Sequence, residues 1–394
     1  MGWIAVAGSI LGTGCGSQGV AHDAPAERRG GPGENAAVVV GSEVAEALGR
    51  AGDNRGEIER AIRESEGDQR RGMEWLVARM PEDDLKSLKA DFLLTNAREA
   101  YAAWKAAPWR AEVDEEVFLD AVLPYASVNE AREDWRTGFR ERFWPLVRHA
   151  KTAGEAAVIL NQKIFADLNV KYSTRRNRAD QAPSETMSTG LASCTGLSIL
   201  LIDACRSVGI PARFVGTPLL ADGSGNHSWV EVWDKGWHFT GAAEPTGDSL
   251  DGGWFVDRAS QAKVDDRSKA IYATTWKESP IWFPLVWDIE NHGVRAVNVT
   301  DRYTGRGEKI PAGSARVGLR VRGGDSRVRR EVVVRGEDGA EVAKGMSKDE
   351  RFDGNDHLTA VLKVGSKYTA SCEGCGDVSF RVEREGQVVD LTVK

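Results

Sequence analysis

The chain has 394 residues, a formal net charge of −7, 41% hydrophobic and 28% charged residues, and five cysteines. That balance excludes a wholly disordered chain, a polytopic membrane protein and a small disulfide scaffold, and it offers no global basic field to nucleic acid. Length alone predicts two or three domains of roughly 100–200 residues each.

Residues 1–15 contain an apolar run, Trp3 to Gly12. It matches a secretory core segment and is well short of the ~20 residues that span a bilayer. Thr13, Gly14 and Cys15 follow, and small residues ending in cysteine resemble a bacterial lipoprotein processing site with Cys15 as the lipidated residue. A plain cleaved export signal and an incidental N-terminal cysteine are the alternatives, since no Lys or Arg precedes the run. Residues 16–41 are rich in Gly, Ala, Pro and charge and are expected to form a flexible tether.

Residues 42–150 are patterned as helix. Ser42 offers an N-cap, with Glu43 and Glu46 in or beside the first turn. Met73, Trp75, Leu76 and Met80 fall near helical spacing and Pro81 ends the run. Leu93, Ala97, Tyr101 and Trp104 continue it as far as Pro108, and Phe139, Phe143, Leu146 and Val147 mark another amphipathic segment. Residues 151–305 begin helical, at 156–168 and 195–208, the second run stopping at Gly209 and Pro211. They then turn extended at 212–215, 228–233 and 237–240. Residues 306–394 hold short β-favouring runs divided by Gly-Asp, Asp-Gly and Gly-Asn pairs, which predicts an immunoglobulin-like β-sandwich. Cys372 and Cys375 there predict a local disulfide at a hairpin. The expected fold class is α+β.

The stretch from Gly190 to Cys205 carries chemistry. Cys194 stands where a small-residue loop meets an apolar helix that Ser193 can cap. Unsatisfied backbone N–H groups and the positive dipole end at that position favour thiolate over thiol, the form a nucleophile requires. Cys205 lies well inside the helix and reads as core. The base to match is His227, at the start of a strand on which His227, Trp229, Glu231 and Trp233 share one face. A loop at residues 234–236 returns the chain antiparallel, pairing Trp233 with Trp237 and Glu231 with Phe239. A group orienting the imidazole should then come from residues 241–244, where Glu244 is the sole carboxylate. Asp257 is held in reserve. His238 points to the other face.

Together, Cys194 opening a helix, the Ile210-Pro-Ala-Arg213 strand entry, the His227-x-Trp-Val-Glu-Val strand and the Trp237 strand resemble the transglutaminase-like superfamily, a branch of the papain-like cysteine enzymes. The resemblance covers residues 152–303. It implies a papain-like core with a Cys-His-acid triad, in which the acid stands at the position held here by Gly241 and Glu244 takes its place. It further implies acyl transfer or amide hydrolysis on a protein or peptide substrate outside the cytoplasm, cell-wall peptide included. A non-catalytic surface protein built on a degenerate core is the alternative. No nucleotide-binding glycine pattern and no His/Cys clustering at metal-ligand spacing is present, so neither cofactor nor metal is expected. No nucleic-acid partner is expected, and membrane contact only through a lipid at Cys15.

Overall fold

The computed structural model describes residues 32–394, with side chains from residue 41 onward; the leader and lipid-anchor expectations at 1–15 lie outside the described residues. The first helix is Pro32–Arg50, so it begins inside the stretch expected to be a tether, and Ser42 lies within it rather than capping it. Helices Arg55–Glu64, Gly67–Arg79, Glu82–Ser87, Ala90–Ala106, Glu115–Ala121 and Arg136–Val147 complete the helical region. Pro81 and Pro108 fall between helices, as their fixed φ and missing N–H require. Among the described residues no helix is long and apolar enough to cross a membrane.

Two buried arginines join this region to the core. Arg136 donates to the carbonyls of Leu123 and Pro124 at 2.9 and 2.7 Å. Arg206, on the helix Cys194–Ser207, donates to Ala126 and Ala212 at 2.9 and 3.1 Å. Each guanidinium thereby satisfies carbonyls of a connecting segment that would otherwise be buried unpaired.

The core sheet has six antiparallel strands in the spatial order Trp237–Thr240, His227–Trp233, Ala212–Thr217, Tyr272–Thr274, Arg295–Asn298, Ile281–Trp282. Its hairpin register pairs Trp233 with Trp237 and Glu231 with Phe239. Strand alternation divides the apolar residues between two cores. Val230 and Val232 pack with Ile199, Leu200 and the rest of the Cys194–Ser207 helix. Trp229 packs on the opposite face with Phe239, Phe255 and Tyr303. Each of these large side chains contributes about 1.5–3 kcal/mol by burial, so the strand bearing His227 is pinned from both sides. Two tryptophans tie the core to the helical region: Trp276 packs edge-on against Tyr125, and Trp287 donates to Asn129.

The C-terminal strands form two four-stranded sheets around a shared apolar core that includes Val317, Leu319, Val332, Val334 and Leu391. Most pairs are antiparallel, consistent with a β-sandwich, while Gln387–Thr392 runs parallel to Ser314–Gly323. Cys372, the last residue of the strand Lys367–Cys372, is joined by a disulfide to Cys375 in the turn that leads to the antiparallel strand Val378–Arg381.

Candidate active site

The helix Cys194–Ser207 starts at the proposed nucleophile, and the Ser193 hydroxyl caps it by accepting from the N–H of Gly196 at 3.1 Å. The cap fixes where the helix begins and hence where the sulfur stands. Cys194 is partly accessible, whereas Cys205 is fully buried and burial pushes its thiol up. His227 opens the neighbouring strand, with its ring wedged among Trp254, Phe255 and Trp229 at centroid distances of 4.6, 4.9 and 5.8 Å. A histidine so enclosed has little rotamer freedom left. Sγ of Cys194, a ring nitrogen of His227 and a carboxylate oxygen of Asp353 all lie within 4.8 Å of one another. Ser228, which alternation assigns to the face away from His227, donates from Oγ to the Cys194 sulfur at 3.4 Å and also meets Thr195 Oγ1 at 3.0 Å.

Glu244 reaches the other side of the imidazole, with Oε2 at 4.0 Å from Nε2. Its route is a tight turn. Ala243 adopts a left-handed φ of 63°, and the Glu244 N–H closes on the Gly241 carbonyl at 3.1 Å. Asn161, from the helix Ala153–Asp167, holds this turn by donating to the Gly241 carbonyl (2.8 Å) and accepting from the Ala243 N–H (2.9 Å). Trp254 Nε1 donates to Glu244 Oε2 at 2.9 Å. A Cβ at position 241 would lie 2.5 Å from that same oxygen, so the carboxylate fills the space a side chain there would take. Gly241→Ala is therefore expected to expel Glu244 from the imidazole and to cost about 1–3 kcal/mol; thermal denaturation reads the loss.

The reserve residue Asp257 is corrected by the structure: it pairs with Arg316 at 3.1 Å and accepts from the Glu308 N–H at 2.7 Å, so it serves the junction with the C-terminal domain. His238 is likewise engaged elsewhere, 2.7 Å from Asp251. Sequence reasoning missed Asp353, which lies between the strands Glu341–Met346 and Leu358–Lys363 of the C-terminal domain. Its Oδ2 is 3.5 Å from Nδ1 of His227. Asn161, Trp254 and Ser228 were missed as well; Asn161 lay inside a marked helix and Ser228 inside a marked strand, but no local pattern tied either to the site.

The charges in the site divide unequally. Burial opposes a charge on His227, yet Asp353 and Cys194 beside it outweigh that and hold the imidazole's pKa well above the usual value. Burial likewise opposes ionisation of Asp353, and its contact with His227 overcomes that and lowers it. Glu244 is pushed up to about 8 by burial, against the pull of His227 and with the help of the Asp353 and Asp356 carboxylates. The negative charge therefore resides on Asp353 while Glu244 holds a proton at neutral pH. A raised carboxyl stabilises the fold fully below its unfolded value and loses that contribution as pH rises through the folded value. Wild-type stability should thus fall between about pH 5 and 8, and Glu244→Gln should fall less over that interval. Melting temperatures of both proteins at the two ends of the range check this. The three clustered donors are spaced closely enough to share a metal ion, but a thiol at a helix start facing an enclosed imidazole has the form of a nucleophile and its base. A cavity of about 610 Å³ lined by Arg79, Asp84, Arg132, Trp276 and Arg295 lies at the seam with the helical region, and none of Cys194, His227 or Glu244 lines it.

This helix-borne cysteine and strand-borne histidine fall within residues 144–254, which match the profile of the Transglutaminase-like superfamily. The chain carries a transglutaminase-like core. Among solved structures, the core-containing chain is similar to a proposed cysteine protease from Cytophaga hutchinsonii (16% identity, TM-score 0.25, covering 29% of this chain and 40% of that one). It is also similar to the Bacillus anthracis TIE protein (16%, TM-score 0.17, 34% and 27%) and to red sea bream transglutaminase (9%, TM-score 0.35, 71% and 65%). It thus spans less than two thirds of each of these relatives. No curated protein matches the chain. Cys194 and His227 both fall within the matched residues, close to each other and to Asp353.

Proposed function

We propose that this protein is a cysteine acyl-transfer enzyme acting on amide bonds of proteins or peptides outside the cytoplasm. The observation that carries the reading is the approach of the Cys194 sulfur, at a capped helix start, to an imidazole buried among aromatic rings. Cys194 passes its thiol proton to His227 as Sγ attacks the amide carbonyl carbon, and the backbone N–H at the helix start stabilises the oxyanion. His227 protonates the departing amine, leaving a thioester on Cys194. A water or amine then attacks the thioester, His227 accepts its proton, and the thiol is restored. Glu244 supports the far nitrogen of the ring from the space a side chain at Gly241 would occupy. The extracytoplasmic setting is supported by the apolar N-terminal run ahead of Cys15 and by the Cys372–Cys375 disulfide, a bond that persists in oxidising compartments.

The test is incubation of the wild-type protein with a peptide pool containing side-chain and backbone amides, with and without a labelled primary amine, followed by mass spectrometry. Amide loss or amine incorporation that disappears in His227→Ala supports the reading. Identical product profiles for wild type and His227→Ala contradict it.

A further inference from the structure

We propose that Asp353, carried by the loop at residues 347–357 of the C-terminal domain, is a positioning residue of the Cys194–His227 pair, so that the active site is completed across a domain boundary. This inference rests on the acyl-transfer reading above and assigns a role to a residue outside the transglutaminase-like core.

The first argument is placement. Asp353 is 2% exposed, and its carboxylate lies 3.5 Å from Nδ1 of His227 and within 4.8 Å of the Cys194 sulfur. Burying a carboxylate is costly unless it is paired, and the imidazolium is the partner its Oδ2 meets. The other oxygen accepts from the Asn355 N–H at 2.8 Å.

The second argument is that the loop is built to hold this position from both sides. From its own domain, Arg327 donates to the carbonyls of Phe352, Asp353 and Asp356. From the core, Arg258 donates to the Asn355 carbonyl at 2.7 Å while it pairs with Asp222 at 2.9 Å. The Asn355 amide donates to the carbonyl of Asn226, the residue next to His227, at 3.1 Å. Gly225, at a φ of 145° that favours glycine, lets Asn355 approach: a Cβ there would lie 3.1 Å from the Asn355 amide. Gly354 is fitted as closely, since its Cβ would lie 3.1 Å from the Tyr172 hydroxyl. A loop gripped at five residues, with its carboxylate aimed at the base, is a preorganised part of the site.

The third argument is division of labour. The groups facing the imidazole are Cys194 from the helix start, Glu244 from the turn after Thr240, and Asp353 from the loop. Tyr172, Arg176, Asp356, Arg258 and Arg327 stand behind them. Glu244 accepts from Trp254 and is enclosed without a cation of its own other than His227. Asp353 therefore supplies the anionic partner that keeps His227 protonated and able to donate to a leaving amine, and Glu244 fixes the ring's orientation.

The test uses the full-length protein labelled at its histidine rings, with the His227 titration followed by nuclear magnetic resonance in wild type, Asp353→Asn, Asp353→Glu and Asn355→Ala. Removing an opposite charge in contact moves a midpoint by about one to three pH units. The His227 midpoint should fall by at least about one unit in Asp353→Asn, recover in Asp353→Glu, and fall partway in Asn355→Ala, where the carboxylate remains but its loop is loosened. A merely structural loop would leave the midpoint in place. An unchanged midpoint in a folded Asp353→Asn, or faster turnover in that variant, overturns the proposal. Alkylation of Cys194 in the same wild-type sample separates the two levels. An inert Cys194 removes the acyl-transfer reading itself, whereas a reactive Cys194 with an unmoved His227 removes only the role of Asp353.

Discussion

Cys194→Ala is expected to reduce amide turnover by a factor of about 10⁴ or more, because loss of a nucleophile removes the covalent step and leaves only binding and oxyanion stabilisation. The fold should survive. Cys194 is the first residue of its helix and partly accessible, and the cap that sets the helix start belongs to Ser193. The loss of the sulfur leaves the Ser228 hydroxyl with its Thr195 partner at 3.0 Å. Circular dichroism and melting within a few degrees of wild type, together with abolished turnover, is the result to look for. A variant that keeps turnover contradicts the assignment of Cys194, and a variant that unfolds gives the cysteine a packing role it is not expected to have.

The second large effect concerns what holds the histidine strand. Glu231→Ala should destabilise the protein by about 3–5 kcal/mol, the cost of leaving a buried charge without its partner. Glu231 is 2% exposed and meets Arg213 at 2.6 Å and Arg302 at 2.8 Å. It also accepts from the Tyr303 hydroxyl at 2.9 Å, while Tyr303 accepts from Trp229 Nε1 at 2.9 Å. Arg213 in turn lies over the Trp237 ring at 3.8 Å. One carboxylate thus links two strands, the 3-10 turn Thr300–Arg302 and the tryptophan stacked beside His227. Arg213 would be left buried with no anion in contact. Urea denaturation measures the effect, and a loss below about 1 kcal/mol, the scale of an exposed pair, contradicts it. Because the strand also carries His227, activity should fall before global unfolding is complete.

The parts of the site that the sequence made legible are those set by short-range rules. A hydroxyl before a small-residue helix start marked Cys194, and strand alternation with a three-residue hairpin loop marked His227 and its register with residues 237–240. Glu244 could be reached by counting along that hairpin. Its actual path could not, because it depends on Ala243 in a left-handed conformation and on Asn161, a helix residue that no local pattern ties to the turn. Asp353 was illegible for a stronger reason. It sits in another domain, in a loop whose placement follows from Arg327, Arg258 and Asn355 acting together, and no periodicity in either segment relates it to His227. The reserve choice of Asp257 shows the same limit in reverse: proximity along the chain favoured it, while a guanidinium from the C-terminal domain claimed it. At the fold level, apolar periodicity foretold the helical region, the mixed core and the β-rich end. It missed the start of the first helix, where a Gly, Ala and charge-rich composition suggested a tether and Pro32 instead opens the helix.

The most direct measurement is labelling of the native full-length protein with an electrophilic probe, followed by mapping of the modified thiols. Cys205, fully buried, is the internal reference. Fast modification of Cys194, slowed in His227→Ala while Cys205 stays unmodified, is the result the acyl-transfer account predicts. Equal, slow modification of Cys194 and Cys205 in the native protein would contradict it.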